Sequence, residues 1–161
     1  MRMTKALGLA GVAIFLWTAG TAAIERMKMP AFALTDSAGR TVASTQLVRP
    51  GNWLLVYVGP DCPSCESVLK SVGHEEAATL APRMAIVVNS TDGEAIEGIV
   101  RRYPWLAAAS WYAGAADGAE ALRITSVPTV FGVRDGTIEW SVAGVLTDAT
   151  DIKAIMSNWV R

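Results

Sequence analysis

The chain has 161 residues, enough for one domain of ordinary size with a short appendage and too few for two. Apolar residues make up 52% and charged residues 18%, which supplies a core and argues against a disordered protein. Lys and Arg number 14 against 15 Asp and Glu, so no basic excess points to nucleic acid. Two cysteines cannot build a disulfide scaffold, and with one histidine they cannot close a four-ligand zinc site.

Residues 6–24 form a 19-residue stretch without a charge, ALGLAGVAIFLWTAGTAAI. As a helix it would span roughly 28 Å, close to the hydrocarbon thickness of a bilayer. Arg2 and Lys5 precede it, which favours a cytoplasmic N-terminus and places the rest of the chain outside the cytoplasm. Two outcomes fit: a retained anchor, or a signal peptide cut near Thr21-Ala22-Ala23. The expected organisation is an anchor or signal over 1–24, a linker over 25–30 and a domain over 31–161. Without residues 1–30 the chain keeps 10 basic and 14 acidic residues, a mildly acidic balance with no pull toward an anionic membrane surface.

Phe32-Ala33-Leu34 and Arg40-Thr41-Val42 flank the turn-rich Asp36-Ser37-Ala38-Gly39 and predict a small hairpin. Trp53 to Val58 is a continuous β-prone apolar run, as expected of a strand buried on both faces. After Gly59-Pro60 a helix is predicted from Cys62 toward Leu80, with Pro63 at its first position and Gly73 ending or bending it. Met84 to Val88 predicts a second buried strand, and Glu94 to Tyr103 a helix with Ile96, Ile99 and Val100 on one face.

Trp105, Trp111 and Tyr112 read as strand-like, and Ala119 to Leu122 as a short helix. Thr129–Val133 and Thr137–Val142, joined by Asp135-Gly136, predict a hairpin. A last helix is expected from about Asp148 to Val160, with Ile152, Ile155, Met156 and Trp159 on one stripe. Strands alternating with helices and closing on an antiparallel hairpin give an α/β fold, a central mixed sheet flanked by helices.

Both cysteines fall in Cys62-Pro63-Ser64-Cys65, after a buried strand and at a predicted helix start. Unpaired backbone N–H groups and the helix dipole stabilise a thiolate there and activate Cys62. Cys65, one turn on, is within reach of an intramolecular disulfide, so the pair can exchange two electrons through a mixed disulfide. A structural disulfide is the plainer alternative, although so short a loop removes little unfolded-state entropy. Haem attachment would need His where Glu66 stands.

With these residues in place, 31–161 resembles the thioredoxin-like family of the TlpA/ResA type, membrane-tethered thiol–disulfide oxidoreductases of bacteria. The hairpin around Asp36 and Gly39, Gln46-Leu47 and Gly51-Asn52 are similar to that family's lead-in to its first central strand. CPSC corresponds to its redox motif, and Ser126-Val127-Pro128-Thr129 with Arg134-Asp135-Gly136-Thr137 to its proline loop and hairpin.

The resemblance implies a thioredoxin-like fold preceded by a hydrophobic helix, with Cys62 attacking and Cys65 resolving. It implies a cis Pro128, and a substrate groove formed by the Cys62 loop, Val127, Pro128 and the Ala143-Gly144-Val145 segment. No cofactor is expected beyond a redox-active Cys62–Cys65 disulfide. Partners implied are protein thiols and disulfides of the cell envelope, a membrane electron donor and, if the N-terminus is uncleaved, the membrane itself, but not nucleic acid. The implied activity is extracytoplasmic, reducing envelope disulfides in cytochrome c or metalloenzyme maturation.

Three positions depart from the pattern. Asp61 stands where the family commonly has Trp, although Gly59-Pro60-Asp61-Cys62-Pro63 resembles oxidoreductase-like proteins that assist methylamine dehydrogenase maturation. Val56 and Val68 occupy positions that carry an acid in thioredoxins and ResA-type proteins respectively. The residues flanking the cysteines, Asp61, Pro63 and Ser64, include no histidine; His74 lies too far along the chain to act as a base and reads as an exposed helix-end residue. Trp53, Trp111, Trp140 and Trp159 read as core.

Two other functions use the same residues: a Cu(I)-binding chaperone holding metal on both thiols, or a disulfide oxidant. Copper stoichiometry of the reduced protein separates the first, and the equilibrium with glutathione the second.

Overall fold

The computed structural model describes residues 26–161 except 48, 92, 115 and 145–148. The apolar stretch 6–24 and Val145 of the expected groove lie outside the described residues. Eight strands form one mixed sheet in the order β1-β8-β7-β4-β5-β6-β2-β3. They are β1 (Met27–Lys28), β2 (Ala33–Asp36), β3 (Thr41–Ala43), β4 (Asn52–Val58), β5 (Met84–Asn89), β6 (Ser110–Gly114), β7 (Thr129–Arg134) and β8 (Thr137–Ala143). The helices are α1 (Pro63–Ser71), α2 (His74–Leu80), α3 (Gly93–Arg102), α4 (Ala116–Ala121) and α5 (Ala149–Val160).

β4 lies at the centre, parallel to β5 and antiparallel to β7. Its unbroken apolar run follows from burial on both sides. Leu54, Val56 and Val58 face a core shared with α1, α2, α3 and α5. Trp53, Leu55 and Tyr57 face a second core with Phe32, Leu34 and Leu122, the last just after α4. Among the described residues, helices thus cover both faces unevenly, four against one. Truncating a fully buried residue such as Leu54 to Ala would cost about 2–5 kcal/mol.

The two hairpins form where their turn residues place them. Asp36 accepts from the N–H groups of Ala38 and Arg40, both at 2.9 Å, and closes the β2–β3 turn. Asp135 and Gly136 both have positive φ, 49° and 69°, as the tight β7–β8 turn requires.

Four readings are corrected. The helix expected from Cys62 toward Leu80 is two helices, because the chain breaks at Val72 and Gly73 caps α2. Trp105 is not in a strand but in a 3-10 turn over Pro104–Leu106, opened by the proline. In α5 the inward stripe is Ile152, Met156 and Val160 at i+4 spacing, which leaves Ile155 39% exposed. Met27 and Lys28, within the stretch read as a linker, pair with Ile138 and Thr137 of β8.

Candidate functional site

The site forms where β4 ends and α1 begins. Cys62 is the N-cap of α1 with an extended backbone (φ −127°, ψ 101°), and Pro63 follows at the first helical position. A proline fits there because that N–H has no helical partner. The N-cap role usually filled by a side-chain oxygen is filled by sulfur: the Cys65 N–H donates to Cys62 Sγ at 3.1 Å. Cys62 and Cys65 are joined in a disulfide with Cα atoms 5.2 Å apart.

The two sulfurs are unequal. Cys65 is 2% exposed and belongs to the core under α1, whereas Cys62 is half-buried at the surface. The Gly59 N–H donates to Cys65 Sγ at 3.4 Å, and Ser64 Oγ lies 3.6 Å from Cys62 Sγ. Pro63 and Asp61 are exposed, and Asp61 stands in the turn before Cys62.

Val127, Pro128 and Gly144 come together on the other side of Cys62. The Val127–Pro128 peptide is cis, the Val127 carbonyl lies 4.0 Å from Cys62 Sγ, and the Gly144 N–H donates to the Pro128 carbonyl at 2.9 Å. Gly144 has φ +84°, a left-handed conformation that favours glycine. Gly59 closes the gap between these groups: a Cβ there would lie 3.3 Å from Cys62 Cβ and 3.5 Å from the Val127 side chain.

The two valines at which the resemblance led to the expectation of an acid are both buried. Val56 is fully buried, and Val68 lies with Cys65 in the same core. His74 is exposed at the start of α2, its ring 4.9 Å from that of Trp105, and takes no part in the site. Trp53 and Trp111 are core; Trp140 and Trp159 are half-buried and pack edge to face.

A cluster not anticipated from the sequence lies beside the disulfide. A shallow recess is lined by both cysteines, Gly59, Glu66, Arg102 and Tyr103. Glu66, in the first turn of α1, binds Lys70 at 3.0 Å and Arg102 of α3 at 3.4 Å. The Lys70 hydrogen bond, then its charge, with Arg102 adding, holds the Glu66 carboxyl below the usual carboxylate range. Burial, and then that carboxylate, push the Tyr103 phenol up. Glu66 is visible in sequence as the residue after Cys65, but its partner 36 positions away is set only by packing of α3 on α1.

A central sheet with this order, an N-terminal CxxC helix and a facing cis-proline define the thioredoxin-like fold. No protein-family model and no curated protein match the sequence. Solved structures do. A secreted Mycobacterium tuberculosis disulfide oxidoreductase homologous to E. coli DsbE is similar at 16% identity and TM-score 0.63, over 79% of this chain and 95% of that one. A thioredoxin-like protein of Porphyromonas gingivalis matches at 18% identity and TM-score 0.64, over 82% and 91%. A thiol:disulfide interchange protein from Bacteroides sp. matches at 14% and 0.63, over 83% and 88%.

Proposed function

We propose that the chain is a thiol–disulfide oxidoreductase of the cell envelope that reduces disulfides of other proteins. The observation that carries this reading is the inequality of the two sulfurs: Cys62 is reachable at a helix N-terminus, with Cys65 buried directly behind it. In the reducing direction, the Cys62 thiolate attacks a substrate disulfide, a mixed disulfide forms and the first substrate thiolate leaves. Cys65, as thiolate, then attacks Cys62 Sγ and releases the second. The substrate ends as a dithiol, and the chain as the Cys62–Cys65 disulfide seen in the structure.

Val127, Pro128 and Gly144 form the rim on which an extended substrate strand pairs, through backbone groups beside Cys62. The envelope location rests on the apolar N-terminal stretch and on the secreted neighbour. Among the described residues no helix is long and apolar enough to cross a membrane. Envelope substrates include cysteines awaiting haem or metal in cytochrome c and metalloenzyme maturation, and a membrane donor re-reduces the disulfide.

The reducing direction fits the flanking charges. Asp61 and Glu66 oppose a thiolate, partly offset the helix N-terminus and so favour the disulfide. The test is a mixed-disulfide trap with Cys65→Ser expressed in the envelope. The expected outcome is envelope proteins captured on Cys62 and released by dithiothreitol. No capture, together with a potential near −120 mV rather than about −270 mV, would overturn the reductant reading.

A further inference from the structure

The recess beside the disulfide carries more positive than negative charge. Both cysteines line it with Glu66, Arg102 and Tyr103, and its buried lining residues Val58, Leu69 and Ile99 are apolar. Three charged groups bear on the Tyr103 phenol here, Glu66, Lys70 and Arg102, two cations against one anion. The other charges of this end lie outside the recess. Asp61 stands in the turn before Cys62 and Arg123 ahead of the proline loop, and neither lines it. Asp92 lies outside the described residues. Arg101, beside Arg102 on α3, pairs with Glu97 at 3.4 Å.

The two cations are unequally engaged. Lys70 holds Glu66 at 3.0 Å as an i, i+4 pair on α1, whereas Arg102 reaches Glu66 from α3 at 3.4 Å. Charge-assisted contacts of full strength lie near about 2.7–2.9 Å. A guanidinium has several N–H donors. Among the described residues, this long contact is the one hydrogen bond that the Arg102 side chain donates. That side chain is 51% exposed, so its remaining donors are open to an incoming group.

A substrate strand joined to Cys62 through its own cysteine carries its neighbouring residues about 3.3 Å apart. Cys62 and Arg102 line one recess, so side chains within about three residues of that cysteine come within reach of the guanidinium.

We propose that Arg102 selects substrates with an acidic side chain beside the cysteine that Cys62 attacks, the incoming carboxylate taking the guanidinium donors that Glu66 leaves open. This rests on the oxidoreductase reading and adds a substrate class to it. Glu66 is the internal competitor, and it holds Arg102 loosely because Lys70 already engages it. Asp61, outside the recess, repels an acid placed near it, so the preference belongs to a particular substrate position rather than to overall negative charge.

The test uses the full reduced chain in detergent and disulfide-linked dimers of a one-cysteine peptide, in which both sulfurs are equivalent. One Glu, Gln or Lys is moved through the three positions on either side of the cysteine. In each exchange the peptide disulfide takes two electrons and two protons from the Cys62 and Cys65 thiols, giving two peptide thiols and the Cys62–Cys65 disulfide. At one position the second-order rate constant should be roughly two- to fivefold higher for Glu than for Gln and lowest for Lys, a contrast that shrinks in high salt. Arg102→Glu should invert the order of Glu and Lys there, and Glu66→Gln should widen the contrast. Ratios are taken within one variant, so altered reactivity of the cysteines cancels. The proposal is overturned by equal rates for Glu and Gln, by a contrast equal at all positions, by an order unchanged in Arg102→Glu, or by a contrast that Glu66→Gln does not widen. Failure to reduce the Gln peptide at all would instead overturn the oxidoreductase reading.

Discussion

The indole of Trp140 occupies the space beside Gly132, its cross-strand partner, that any side-chain carbon at position 132 would need. Next to this pair the β7–β8 register slips by one residue, at Glu139. Trp140 also meets Trp159 edge to face, and Arg134 stacks on Trp159 at 4.9 Å, so the contact leads into the seam between α5 and the sheet. Gly132→Ala should displace Trp140 and destabilise the fold by about 1–3 kcal/mol, read as a shift in the urea midpoint. An unchanged midpoint would mean the indole has another place to go.

Thiol reactivity should follow burial. In reduced protein at neutral pH, iodoacetamide should modify Cys62 at least roughly tenfold faster than Cys65. Peptide mapping after brief alkylation checks the order, and faster labelling of Cys65 would reverse the assigned roles.

Glu66 should tune the potential. Glu66→Gln removes a negative charge one residue from Cys65 and leaves Lys70 and Arg102 without their acid. Both changes favour thiolate over disulfide, so the reduction potential should rise on the order of 15–30 mV. Equilibration with glutathione measures it; a fall would mean that the cluster acts on the cysteines through something other than charge.

Acid should weaken the fold through three carboxyls. Asp36 is held below its ordinary value by hydrogen bonds from Arg40, Glu66 by Lys70, and Glu76 by the side-chain hydrogen bond from Lys153. A carboxyl whose pKa is depressed in the folded state contributes stability above its unfolded value, near 4, and loses it as pH falls through the folded value. The urea midpoint should be flat above about pH 5 and decline below it. The decline should be shallower in Asp36→Asn, Glu66→Gln, Glu76→Gln protein. All three groups are solvent-accessible, so the effect should shrink in high salt.

The central strands were legible because burial on both faces leaves an unbroken apolar run, as in Trp53–Val58 and Met84–Val88. The Asp135-Gly136 turn was legible because few residue pairs accept two positive φ angles. Cys62 and Cys65 were legible because Pro63 marks a helix start. What escaped depends on contacts distant in sequence. The two-residue β1 has no pattern of its own and exists because β8 offers a free edge. The Glu66–Arg102 pair needs the packing of α3 on α1. Ile155 fits a helical stripe on paper, but the sheet accepts only the 152–156–160 row.

The Gly59 amide gains a second meaning once the disulfide is under attack. In the oxidised chain it makes a weak contact with a neutral sulfur, 3.4 Å from Cys65. When, under the proposed function, an incoming thiolate takes Cys62, Cys65 departs with a full negative charge inside an apolar core that it shares with Val56 and Val68. A fixed N–H already aimed at that atom stabilises the leaving group without any rearrangement, as preorganised donors stabilise developing oxyanions. The backbone thus offers charge stabilisation where the surrounding apolar side chains offer none.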